Sequence, residues 1–187
     1  KQQTSMDAIA MLKEDHPKVE KLFEDFLTSR KQEVAGQIFK ELDVHAVLEE
    51  ELFYPAVQRE GDPGDLSALE QGDSGIDGDE PLDQAELDED DEDEDDEETA
   101  EEIGEDVIAS AYEDHQSVKE LIQQLKGLDA GSADFQQGMM ELQEMVKDHV
   151  SEEEDVLFPD ARLKVDIKGL ATQMQERKQE LISSINV

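Results

Sequence analysis

The segment His45-Ala46-Val47-Leu48-Glu49-Glu50-Glu51-Leu52-Phe53-Tyr54-Pro55 is answered later in the chain by His149-Val150-Ser151-Glu152-Glu153-Glu154-Asp155-Val156-Leu157-Phe158-Pro159. Each copy opens on His-x-x-x-Glu-Glu and closes on an apolar pair, an aromatic residue and proline. The duplication extends upstream. Glu14-Asp15-His16 recurs as Glu113-Asp114-His115, and Asp7, Ile9, Ala10, Val19 and Leu22 recur as Asp106, Ile108, Ala109, Val118 and Leu121. The chain has four histidines, and the pattern uses all of them.

The apolar spacing around these segments is helical. Ile9, Leu12, Val19, Leu22, Phe23 and Phe26 recur at three- and four-residue steps, and His16 falls on the same stripe. Pro17 removes an amide and crowds the preceding turn, which predicts a kink or a helix that effectively starts near His16. A second helix is predicted over 32–57, with Val34, Ile38, Leu42, His45, Leu48, Glu49 and Leu52 on its buried face. A third over 102–126 carries Ile103, Val107, Ile108, Ala111, His115, Val118 and Leu121. A fourth over 133–157 carries Phe135, Met139, Leu142, Met145, Val146, His149 and Glu153. A last helix over 161–185 carries Leu163, Ile167, Leu170, Met174, Leu181 and Ile185. Met11, Met139, Met140 and Met145 read as gap-fillers of the core. Nothing alternates like a strand. The expected fold is therefore all-α: two helical hairpins forming an antiparallel four-helix bundle, with an additional C-terminal helix.

Net charge is −37 over 187 residues, but it is unevenly spread. No lysine or arginine occurs between Glu60 and Val118, and the stretch 86–98 contains a single non-acidic residue, Leu87. Like-charge repulsion and scarce apolar content predict a disordered acidic insertion over 61–99 between the second and third helices, within one domain spanning 1–187. So acidic a chain is a poor partner for nucleic acid phosphates and is repelled by anionic membranes. No apolar run approaches the length of a membrane span. The absence of cysteine excludes disulfides, thiolate-bound zinc and iron–sulfur clusters. The opening Lys1-Gln2-Gln3-Thr4-Ser5 lacks a hydrophobic signal core, so a cytoplasmic location is expected.

Residues four apart on a helix share one face. His45 with Glu49, and His149 with Glu153, thus direct an imidazole and a carboxylate to one point, while His16 and His115 add imidazoles from the other two helices. Burying two carboxylates beside histidines is costly unless positive charge lies between them. A pair of metal ions supplies it, with iron, zinc, copper or manganese all suited to imidazole and carboxylate. The competing reading is a set of buried His–Glu hydrogen bonds left by duplication. Glu20, four after His16, is a candidate seventh ligand or acceptor. Tyr54 and Phe158 read as aromatic plugs below the site, with Tyr54 also a candidate metal neighbour. Tyr112 is a candidate hydrogen-bond donor to the site. Glu50, Glu51, Glu154 and Asp155 read as solvated faces.

The 43–55 and 148–159 segments resemble the signature helices of the hemerythrin-like (HHE cation-binding) family, and Asp15-His16 and Asp114-His115 are similar to its other two ligand helices. The resemblance covers all but the acidic insertion and the last helix. It implies an up-down-up-down four-helix bundle, a topology of which myohemerythrin is a known example. It further implies two iron ions, oxo- or hydroxo-bridged, held by His16, His45, Glu49, His115, His149 and Glu153. Oxygen-carrying hemerythrins have another histidine where this chain has Lys119, and an aspartate where it has Glu154. The four-histidine, two-glutamate set is closer to the bacterial and regulatory branch. Two functions follow as expectations: a di-iron protein that binds dioxygen, nitric oxide or iron itself for sensing, storage or transport, or a di-iron enzyme that decomposes hydrogen peroxide or another small oxidant.

Overall fold

A computed structural model describes residues 7–61 and 100–185, and every regular element among them is helical. Helix α1 (Ala8–Ser29) starts at Asp7, whose carboxylate accepts from the Ala10 amide at 2.7 Å. It passes through Pro17 without ending, so of the two alternatives, a kink or a start near His16, the late start is ruled out and the helix begins at Ala8. Burial of Ala8, Ile9, Met11 and Leu12 gives the turns before the proline a packing energy that one missing backbone bond does not offset. Arg30, in the left-handed region at φ 54°, closes α1 by donating its amide to Phe26 O at 2.7 Å. Helix α2 (Gln32–Leu48) returns antiparallel, so Arg30 and Lys31 alone make the connection.

The predicted second helix is not uniform. After α2 the backbone widens into a π-helical turn, Glu49–Phe53, and continues as α3 (Tyr54–Gly61). The second hairpin repeats this. Helix α4 (Ala100–Lys126) is followed by α5 (Ala133–Glu152), capped by Ser132 through a 3.1 Å bond from the Phe135 amide. A second π turn, Glu153–Leu157, leads into α6 (Phe158–Lys164). The expected continuous C-terminal helix is broken at Val165 and Asp166, and α7 (Ile167–Ile185) is a separate element. Leu163, expected on its buried stripe, is 87% exposed, and Met140, expected in the core, is 58% exposed. Apart from Gly61, the acidic insertion at 61–99 lies outside the described residues, as do the side chains of Ile103 and Ile185.

Two hydrophobic clusters fill the bundle. One joins Ile9 and Leu12 of α1, Leu48, Phe53, Tyr54 and Val57, Ile108 and Ala111 of α4, Leu157 and Phe158, and Leu170, Ala171 and Met174 of α7. The other joins Val19, Phe23 and Phe26 to Ile38, Leu42, Val118, Ile122, Leu125, Phe135, Met139 and Leu142. The beginnings of α1 and α4 share the first cluster with the ends of the second and fourth ligand helices, which makes the bundle up-down-up-down. Each histidine falls between a residue of one cluster and a residue of the other. The polar layer is thereby clamped between two apolar floors. No helix among the described residues is long and apolar enough to cross a membrane.

Candidate metal centre

All six predicted side chains meet in this layer. All six side chains are buried or nearly so, the two glutamates completely. Each glutamate spans the layer. Glu49 Oε1 lies 3.2 Å from His45 Nε2 and its Oε2 lies 3.2 Å from His115 Nε2. Glu153 Oε1 is 3.6 Å from His149 Nε2 and its Oε2 is 3.5 Å from His16 Nε2. The donors gather as two groups, His16 with His45 and Glu153, and His115 with His149 and Glu49. Each group takes its histidines from one hairpin and a glutamate from the other.

The π turns place these glutamates. Glu49 donates its amide normally, to His45 O, so the His-x-x-x-Glu step is intact. The widening begins at Glu49, whose carbonyl accepts from the Tyr54 amide, and in the second copy Glu153 O accepts from the Phe158 amide. On a plain α-helix Tyr54 would stand about 140° around from Glu49. Spreading five residues over the wider i→i+5 turn brings the two back toward one face. Tyr54 is accordingly in the site as well as beneath it. Its fully buried hydroxyl donates to Glu153 Oε1 at 3.0 Å and lies 3.4 Å from both Glu49 Oε2 and His115 Nε2. Its ring stacks on His115, as Phe158 stacks on His16.

The outer nitrogens of the histidines are also served, by residues read from sequence as solvated or left without a role. Glu154 accepts from His16 Nδ1 at 2.7 Å, and Glu50 from His115 Nδ1 at 2.9 Å. Asp15 faces His45 Nδ1 at 3.6 Å and Asp114 faces His149 Nδ1 at 3.5 Å. At His16 and His115 the outer carboxylate takes the Nδ1 proton, which turns Nε2 toward the other donors of the layer. Lysines hold three of these acids: Lys13 on Glu154, Lys119 on Glu50 and Lys178 on Asp15. Glu20 is exposed at the rim of a groove between α1 and α5, and the acceptor role suggested for it belongs to Glu154. Tyr112 does not reach the centre; its hydroxyl lies 3.4 Å from Glu50 O and its ring meets the edge of Tyr54. Glu51 and Asp155 are exposed, as expected.

The buried acids and imidazoles of the centre shift one another strongly. Burial raises the Glu153 carboxyl, and the charge of Glu49 raises it further. Burial works against the Glu49 carboxylate, but His45 and His115 outweigh it and hold the group well below the carboxylate range. Burial likewise opposes charge on His45, and Glu49 with Asp15 overcomes it, so that imidazole is driven well above its usual value. Burial, then Glu49 and Glu153, pushes the Tyr54 phenol up. His16 Nε2, His45 Nε2, Glu49 Oε1 and Glu153 Oε2 are buried without a hydrogen-bond partner. The nitrogens His115 Nε2 and His149 Nε2 point at each other 3.0 Å apart. Buried imidazoles, two carboxylates and no thiolate fit metal cations such as iron, zinc, copper or manganese.

Residues 97–161 match the family model described as the hemerythrin HHE cation binding domain. Over 152 residues, 79% of its length, the chain is 26% identical to a DNA nickase of Nostoc sp. (strain PCC 7120 / SAG 25.82 / UTEX 2576), and it spans 31% of that relative. No solved structure matches the chain. Residues 97–161 thus carry the hemerythrin HHE cation-binding match, within a helical bundle whose buried histidines and glutamates could hold metal.

Proposed function

We propose that the chain binds two iron ions, one at His16, His45 and Glu153 and one at Glu49, His115 and His149, with both glutamates linking the positions. The observation that carries this is the set of buried, unpartnered nitrogen and oxygen atoms aimed at one another across the polar layer. Burying them so is costly in the absence of a counter-charge. When bound, the iron pair supplies Lewis acidity and redox chemistry toward a small molecule.

The chain's own groups favour binding of a small uncharged ligand. A cavity of about 30 Å³ touches all four histidines; half of its lining residues are aliphatic, among them Val19, Leu42 and Ile122, and Asp15, Asp43 and Lys119 complete it. It holds one water-sized or diatomic guest, and its aliphatic wall suits dioxygen or nitric oxide better than an anion. Breakdown of hydrogen peroxide is the second reading. Tyr54 favours it, because a buried hydroxyl bonded to Glu153 can hold a proton at the centre. Anaerobic iron loading, followed by optical spectra with dioxygen, nitric oxide and peroxide in turn, separates the two. Reversible spectral change with a diatomic supports binding, and continuous oxygen evolution from peroxide supports the enzyme.

The similar Nostoc protein is a DNA nickase, whereas the net charge of −37 on this chain disfavours phosphate contact.

A further inference from the structure

Helix α7 has no counterpart in the duplicated pattern. It packs Leu170, Ala171 and Met174 into the first cluster, against α1, α2 and the first π turn. From that position it presents two adjacent cations to the first hairpin. Arg177 grips the exposed Glu51, with Nε 2.7 Å from Oε2 and Nη2 3.0 Å from Oε1. Lys178 Nζ sits 2.7 Å from Asp15 Oδ1 and 2.6 Å from Oδ2. Asp15 is only 6% exposed, and its Oδ2 is the atom that faces His45 Nδ1. Its equivalent in the second copy, Asp114, has a side chain 43% exposed, and no lysine or arginine pairs with it among the described residues.

We infer that Lys178 is a positioning residue for the metal position formed by His16, His45 and Glu153, acting through Asp15; the inference rests on the two-ion reading above. A carboxylate as buried as Asp15 keeps its place only with a cation beside it. Without Lys178 it turns toward solvent or admits water, and the negative charge that faces His45 Nδ1 at 3.6 Å is no longer held in place. Partners of ligand histidines are typically worth about 10–100-fold in metal affinity. Asp114, already half in solvent, offers the second hairpin no such lever. The C-terminal helix thus bears on one metal position and spares the other.

The test is chelator competition on the full chain loaded with Co(II), whose visible spectrum reports ligand geometry at each position. Wild type holds two ions. Lys178→Met is expected to release one of them about tenfold more easily, with an altered Co(II) spectrum, and to hold the other as before. Lys178→Arg restores the wild-type curve. Arg177→Gln, which loosens α7 without touching Asp15, leaves it unchanged. In an Asp15→Asn background, Lys178→Met adds nothing further. Equal weakening of both ions, a matching loss in Arg177→Gln, or simple additivity with Asp15→Asn overturns the inference. Should Lys178→Met lose helicity, Lys178→Gln carries the same comparison. A wild type that holds two ions while Lys178→Met matches it refutes the role of Lys178 alone; a wild type that cannot hold two refutes the two-ion reading and this inference together.

Discussion

The two halves of the polar layer have the same donors and different surroundings. In the half made by His16, His45 and Glu153, Phe158 stacks on His16, and both outer carboxylates, Glu154 and Asp15, are held by lysines. In the other half Tyr54 stacks on His115, with its hydroxyl 3.4 Å from Glu49 and His115 while it donates across the layer to Glu153; there Glu50 is held by Lys119, while Asp114 is partly exposed. Duplication explains the likeness, and single substitutions explain the divergence: tyrosine against phenylalanine at one position, and a lysine on a helix that was never duplicated. The comparison teaches that like donors need not make like sites. What surrounds each histidine sets how firmly it is oriented and how basic it is.

Removing a carboxylate that spans the layer is the harshest way to break this comparison. Glu49→Ala or Glu153→Ala is expected to lose both ions, a loss exceeding about 100-fold in affinity, whereas His16→Ala or His115→Ala loses one. Iron content per chain by elemental analysis decides it. If a glutamate variant kept full occupancy while His16→Ala lost it, the spanning role would be wrongly assigned.

The outer carboxylates sharpen the comparison by half. Glu154→Gln should weaken only the ion beside His16, and Glu50→Gln only the ion beside His115, each by about tenfold. Stepwise chelator titration reads the two ions separately; a common loss of both in either variant would mean the halves are not independent.

Smaller still is the aromatic exchange. Tyr54→Phe removes the donor to Glu153 and should destabilise the metal-free fold by about 1–3 kcal/mol. Iron loading should shrink that difference, because the carboxylate gains another partner. Thermal melts with and without metal measure it, and an effect that grew on loading would contradict the proposed arrangement. Smallest of all is deletion of residues 64–96. Both clusters and all six donors lie elsewhere, and loop closure changes by only about 0.6 kcal/mol per doubling of length. Halved iron content in the shortened chain would show that this segment does more than connect.

Much of this was legible in the sequence, and its limits have physical causes. The six donors and the antiparallel bundle follow from helical spacing and duplication, because residues four apart must share a face. The π turns were not legible. Spacing arguments assume a constant turn, and on that assumption Tyr54 read first as a plug below the centre, with contact to it only the alternative. Glu50 and Glu154 were taken for solvated residues because an acid beside a ligand looks like any charged face. The duplication held the clue: it keeps Glu50 with Glu154, and Asp15 with Asp114, as faithfully as it keeps the donors. Lys178 had no such signal, since it lies far along the chain on an unrepeated helix. Leu163 fitted the apolar stripe of a helix that in fact breaks at Val165 and Asp166, and its side chain is left in solvent.

The central claim is that one chain holds two metal ions across its hairpins. Anaerobic Fe(II) titration of the metal-free protein, followed by desalting and elemental analysis, tests it most directly. Two iron ions retained per chain, falling to none in Glu153→Ala, is the predicted result. One ion or none in the wild type would contradict it, leaving the buried histidines and glutamates as a hydrogen-bonded polar core.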